Sequence, residues 1–436
     1  MKSAFYEKEI TPPIGYNLPG YFNFRGSTDI IDRLYAKALV VENGEKIAIV
    51  AIDALFATDY MRKPVVERIN RYTGIKEDNI LFAANHTHTA IPLYDGLVEF
   101  DQTGLDSYLE TICALIADCA ILADKRLEES SAKFGLGNVE GIAFCRNYYM
   151  KNSTPTTNPG RMNPNIEGPV TDVDTELPVL FFEDKYGNPK GALISYALHQ
   201  DCVGGEEISG DYSSILSQEL KKVYGEDFVS VFLIGACGNV NHLDVNKKED
   251  APDHYKKIGK IIAGEVVKTA AKAERINANE IKSVYKTLKI KRLEVSKEEL
   301  EKAENTVKTV KLKEGVKIAA DDTDPEQYAL AMAKILINHV NGPEEIDAPL
   351  QVIKIGDFTL YCFPGEIFNQ YSNTVKNSSN TDKKMVATVC NASVGYVPTT
   401  DMFYPTIYES LPGSCKLNKN AGKIMADELI KLGSLL

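Results

Sequence analysis

The sequence has 436 residues, 44% of them hydrophobic, which is enough to bury a sizeable core. Its formal net charge is −12 and its basic residues are mixed among acids rather than gathered in a stripe, which excludes the electrostatic footprint of a nucleic-acid or anionic-membrane binder. No run approaches the ~20 consecutive apolar residues of a transmembrane segment, and the eight cysteines include no C-x-x-C pair, so a disulfide scaffold and a zinc ribbon also drop out.

The start, MKSAFYEKEITPP, has neither the basic nor the apolar region of a secretory signal, and the expected location is cytoplasmic. KIAIVAIDAL (46–55) and NILFAA (79–84) read as strands covered on both faces, with a helix over 60–73 between them. Asp53 interrupts the first of these runs. An unpaired buried carboxylate is costly, so Asp53 needs a polar partner, and orienting a histidine is one such role. A helix over 105–126 precedes residues 145–177, which are crowded with Asn, Pro, Thr and Gly and read as one loop of a length that is usually functional or disordered.

PVLFFED (178–184) and GALISYAL (191–198) form a hairpin through DKYGNPKG. A helix over 213–224, the strand FVSVFLIG (228–235) and a helix over 255–274 follow. Two charged helices within 296–340 read as an inserted hairpin with solvated outer faces and no chemistry of their own. LQVIKIG (350–356) and FTLYCF (358–363) meet at Gly356-Asp357, KMVATVC (384–390) is a further strand, and a helix over 420–433 closes the chain. With no repeat and no linker, this is a single α/β domain over 1–436: a large mixed β-sheet layered with helices, with a metal site expected at the strand carboxyl ends.

That site follows from reading past each strand. NILFAA runs into NHTHTA, ALISYAL into His199, Gln200 and Asp201, VSVFLI into GACGNVNHLD, FTLYC into FPGE, and MVATVC into NASVGY. Ligands of open α/β sheets sit outside the carboxyl ends of the parallel strands. In extended backbone, residues i and i+2 face the same side, so His86 and His88 can address one cavity, one as ligand and the other as proton carrier. An isolated H-x-H is as readily a polar strand end, and His199 or Glu366 alone is as readily a satisfied strand-end or helix-start residue. Together behind three apolar strands, His86, His199 and Glu366 suit catalytic Zn2+, whose charge acidifies water and polarises a carbonyl.

These segments together, with EITPPIG, the loop around Arg146, HQDCVGGEEISGDY, GACGNVN, FPGEIF and GYVPTTDMFYPTIYE, resemble the neutral ceramidase family, zinc-dependent amidases that release a fatty acid from a sphingoid base. The resemblance implies His86, His199, Glu366 and Tyr396 as zinc ligands, His88 as their active-site partner and Arg146 as a substrate-facing residue. Tyr396 rests on the resemblance alone, since a tyrosine behind a strand is usually a packing residue.

Two departures matter. Where the family has G-D-x-S-P-N, this chain has GNVNHL, with Asn241 at the serine position and His242 beside it. An amide is not a nucleophile, which leaves water to attack, with Asn241 as an oxyanion donor and His242 as a proton source, further ligand or loop cap. The family's C-terminal immunoglobulin-like domain is expected to be missing here. The expected activity is hydrolysis of an N-acyl amide in a small-molecule or lipid-like substrate. Cleavage of an ester or other acyl bond, or metal-dependent binding without turnover, remain the alternatives, and a second metal held by His88, Asp201 or His242 stays open.

Overall fold

The alternation of side chains along the strand Glu45–Ile52 sets out the layers. Ala48, Val50 and Ile52 enter an apolar cluster shared with helices, whereas Ile47, Ile49 and Ala51 enter another formed between strands. This is the period-two consequence of a strand buried on both faces. The computed structural model describes residues 1–93, 103–313 and 324–436.

A nine-stranded mixed sheet has the order Val229–Ile234, Pro189–Tyr196, Glu176–Asp184, Glu128–Asn138, Lys2–Glu9, Tyr35–Asn43, Glu45–Ile52 and Ile80–Ala84, with Glu274–Arg275 added beside Glu128–Asn138. The pairs at its two ends are parallel and the pairings between them antiparallel. Helices α1 (Asp59–Thr73), α2 (Leu105–Asp124), α3 (Asp211–Tyr224) and α4 (His254–Lys272) supply the outer cluster on one face.

The large mixed sheet agrees with the sequence, but the runs at 350–363 and 384–387 do not join it. They form a second sheet, Ile281–Lys291, Glu345–Ile355, Phe358–Cys362 and Lys384–Ala387, packed face to face on the first. Phe358, Leu360 and Cys362 point into this shared layer, while Tyr361 and Phe363 point the other way. There they meet helices α7 (Asn369–Ser378) and α8 (Ala421–Ser434).

The charged helices α5 (Lys297–Thr309) and α6 (Pro325–Asn341) connect two strands whose last register pair is Lys291 with Glu345. Residues 314–323 of the expected insertion lie outside the described residues. Arg292 secures the end of α6 by donating to the carbonyls of Val340 and Gly342. Residues 145–177, expected to be a loop, instead contain an antiparallel sheet of Ile166–Pro169, Asn147–Met150 and Pro155–Thr157, while Phe144–Cys145 pairs with Val240–Asn241. Among the described residues no helix is long and apolar enough to cross a membrane.

Residues 388–391 bring the two edges of the large sheet together. Thr388 N donates to Ile234 O at 2.8 Å and Asn391 N to Phe82 O at 2.6 Å, and Ala84 N donates to Val389 O at 3.2 Å. The chain past Ile80–Ala84 then meets the chain past Pro189–Tyr196, the strand beside the opposite edge, with Thr87 bridging to Gln200. His86 and His199 become neighbours through that contact.

Candidate metal centre

His86 follows Ile80–Ala84 with a φ of 71°, a left-handed turn that swings its ring back beneath the strand end. Its Nδ1 lies 2.7 Å from Leu55 O and its Nε2 3.0 Å from His199 Nε2. His199 Nδ1 lies 3.2 Å from Cys237 O. A carbonyl oxygen only accepts, so each imidazole carries its proton on Nδ1 and presents a bare Nε2 lone pair. Glu366 Oε2 completes the cluster, 3.2 Å from His86 Nε2 and 3.6 Å from His199 Nε2. All three side chains are buried.

Two imidazole lone pairs and a carboxyl oxygen of Glu366 therefore converge. In water-excluded surroundings this is repulsive until a cation enters. Two nitrogens on one tetrahedral zinc ion stand roughly 3.3 Å apart, given Zn–N bonds of about 2.0–2.1 Å. The donor set fits such an ion with little adjustment.

Glu366 and Tyr396 reach the centre by one device. Glu366–Ile367 and Tyr396–Val397 form a two-residue parallel ladder in which Glu366 is registered with Tyr396, placing both side chains on one face. The Tyr396 ring lies parallel to that of His199, with centroids 6.4 Å apart and planes at 11°. Burial and then the Glu366 charge raise the phenol's pKa well above its ordinary value, against the pull of Arg146.

His88 is the third imidazole of the group, its ring 5.2 Å from that of His86 and 5.4 Å from that of His199. Burial first, then His86, Arg25 and Arg146, keep its pKa well below the ordinary value. Neither ring nitrogen makes a hydrogen bond of good geometry to a described residue, although the backbone of Gly20 lies against the ring and favours its protonated form. Its backbone is held tightly: His88 N donates to Gln200 O at 3.1 Å, and Arg25 Nη2 donates to His88 O at 2.6 Å.

Arg146 is buried, pairing its Nε with Glu409 Oε1 at 2.6 Å and donating from Nη2 to Gly238 O at 2.7 Å. Its guanidinium carbon sits 5.0 Å from the centre of the Tyr396 ring. Burial opposes its charge, but Glu409 and Tyr396 outweigh that and raise its pKa. Asn241 spends one N–H on Asn158 Oδ1 and accepts from Leu243 N, both at 3.0 Å. His242 groups with Asp250 and His254 rather than with the His86 cluster. Asp201 faces His242 across 3.8 Å.

Asp53 orients no imidazole directly. Its oxygens accept from Asn85 Nδ2 at 2.5 Å and Tyr35 N at 2.6 Å. The histidine orienters are the backbone carbonyls of Leu55 and Cys237, which have no side-chain signature in a sequence. Glu409, also missed, sits in YPTIYES as an unremarkable acid; only its contacts reveal it.

The fold and the site define a four-layer α/β protein with a buried imidazole–carboxylate centre where strand ends converge. The chain belongs to the neutral/alkaline non-lysosomal ceramidase family, whose N-terminal domain matches residues 7–245, more than half of it. It is 26% identical over 250 residues to neutral ceramidase B of Dictyostelium discoideum and 25% identical over 244 residues to the neutral ceramidase of Drosophila melanogaster. These matches cover 54% and 53% of this chain but only 34% of each relative, so the chain matches about a third of their length. The crystal structure of neutral ceramidase from Pseudomonas aeruginosa superposes with a TM-score of 0.73 at 19% identity, covering 100% of this chain and 75% of that one. A ceramidase complexed with C2 gives a TM-score of 0.74 at 18% identity, over 99% of this chain and 74% of the other. At these identities the structural likeness establishes the fold.

Proposed function

We propose that this chain is a zinc-dependent amidohydrolase that cleaves the N-acyl bond of a ceramide-like lipid or smaller amide. The supporting observation is the convergence of two proton-free Nε2 atoms and the Glu366 carboxylate, with His86 and His199 tautomers fixed by carbonyls. The names of the family and of the relatives support the amide of ceramide as the bond.

His86, His199, Glu366 and Tyr396 would hold the ion. When bound, zinc supplies a Lewis acid that polarises the amide carbonyl and makes water acidic enough to act near neutral pH. His88, neutral and with both ring nitrogens unspent, takes a proton from the attacking water and returns it to the departing amine. Arg146, kept charged by Glu409, would favour the phenolate that Tyr396 must become to bind the ion, and stabilises the negative charge developing on the carbonyl oxygen. Asn241, already bonded to Asn158 and Leu243, would offer its remaining N–H to that oxygen. With asparagine at the family's serine position, water is the nucleophile on this reading.

The test is turnover of N-acyl amides and the corresponding esters by protein that is zinc-replete, chelated, and altered as His86→Ala or Glu366→Gln. Chelation and each substitution should lower amide turnover at least about a thousandfold, as loss of a catalytic zinc ligand demands. Robust amide cleavage by either variant would sink the assignment, and a preference for the esters would change the bond.

A further inference from the structure

A second cluster lies on the loop after Val240–Asn241 and the start of α4. His242, Asp250 and His254 each present a ligand atom, all within 4.8 Å of one another. His242 Nδ1 is 3.6 Å from Asp250 Oδ2, and His254 Nε2 is 3.9 Å from Asp250 Oδ1. The two imidazole rings are 5.2 Å apart at 45°, converging rather than stacking. Neither His242 Nδ1 nor His254 Nε2 has a hydrogen-bond partner among the described residues, although His242 is only 9% exposed. Two bare imidazole nitrogens turned towards one carboxylate, without a hydrogen bond between them, is an arrangement that ordinary polar packing does not leave unsatisfied.

The surroundings match what a metal ligand set needs from its supports. Asp201 Oδ1, itself without a hydrogen-bond partner, faces His242 Nε2 at 3.8 Å, where it can take the ring proton once Nδ1 is committed to an ion. Arg161 pairs with Asp250 Oδ2, which leaves Oδ1 for the ion. From these residues we infer that His242, Asp250 and His254 form a second binding site for a divalent late first-row ion such as zinc or cobalt. Two imidazoles and one carboxylate are the donor types such ions favour, and ligand atoms as far as 4.8 Å apart need to close by up to about 1.5 Å to reach the roughly 3.3 Å spacing around a tetrahedral ion. The site is distinct from the His86 centre and stands independently of the amidase reading.

Metal-stripped protein titrated with Co2+ and then Zn2+, with bound metal counted by mass spectrometry, tests this. The unaltered chain should bind two equivalents. His254→Ala and Asp250→Asn should each keep one and weaken the other at least about a hundredfold, and His86→Ala should lose the complementary one. A single equivalent in the unaltered protein that vanishes in His86→Ala overturns the second site, as do two undiminished equivalents in both His254→Ala and Asp250→Asn. If instead His86→Ala binds as much metal as the unaltered chain while His254→Ala loses one equivalent, the second site stands and the His86 centre falls.

Discussion

At the scale of single residues, a proton-carrying histidine must be placed by its neighbours without being used up by them. Gly20 provides such placement for His88. Its φ of +105° favours glycine, and a Cβ there would lie 2.4 Å from His88 Nδ1. Gly20→Ala should therefore push the ring away while leaving His86, His199, Glu366 and Tyr396 in place. Displacement of a reacting group by about 1 Å costs on the order of a hundredfold in rate. Steady-state kinetics should show that loss in kcat/KM with zinc content unchanged; zinc lost along with turnover would instead make His88 or its turn part of the ligand set. His86, His199 and Glu366 were legible as candidate ligands because each stands just past an apolar run, whereas Tyr396 was offered only by the family resemblance. Leu55 and Cys237 were not, because they act through carbonyls that every residue possesses, and Gly20 was not, because its role depends on a contact sixty-eight positions away.

At the scale of elements, one ion pair joins two segments that both reach the site. Arg146 follows the bridge Phe144–Cys145, and Glu409 lies on the single turn Tyr408–Ser410 close behind Tyr396. Glu409 is fully buried and also accepts from Thr157 Oγ1 at 2.6 Å and Asn147 Nδ2 at 3.3 Å. Replacing one member of such a pair strands the other's charge, a cost of about 3–5 kcal/mol. Arg146→Met should lower unfolding stability by that amount, and Arg146→Met with Glu409→Gln should recover part of it, a coupling that denaturant melts of the single and double variants can measure. Additive losses would mean the pair does not hold the segments together. The small sheet within 145–177 escaped the sequence reading for a related reason. Strands of three or four residues, such as Pro155–Thr157, are too short for alternation to emerge, and their pairing is set by backbone contacts such as Thr157 N to Thr406 O at 3.0 Å.

At the scale of the whole molecule, the strand runs were legible but their division into two sheets was not. A strand such as Phe358–Cys362 is apolar on both faces whether its second cover is a helix or another sheet, so its composition cannot distinguish them. Burial of carboxyl groups beyond the strand ends leaves a mark on stability. Asp53 and Asp211 are both pushed up from 3.8 to about 6, chiefly by burial and against the hydrogen bonds each accepts from backbone N–H groups. Between those values the folded chain retains protons that the unfolded chain has released. The contribution of each carboxyl is therefore complete below about 3.8 and lost as pH rises through about 6. A shift of roughly two units corresponds to roughly 3 kcal/mol per group. Asp53→Asn keeps the side-chain shape and removes one of these titrations. In urea melts at a series of pH values, its stability should fall less steeply than that of the unaltered chain from pH 4 to pH 6, by up to about 1.4 kcal/mol per unit, and run parallel to it above that window. An unchanged slope would mean that Asp53 remains ionised across the window, held so by buried Lys37 more strongly than its burial opposes it.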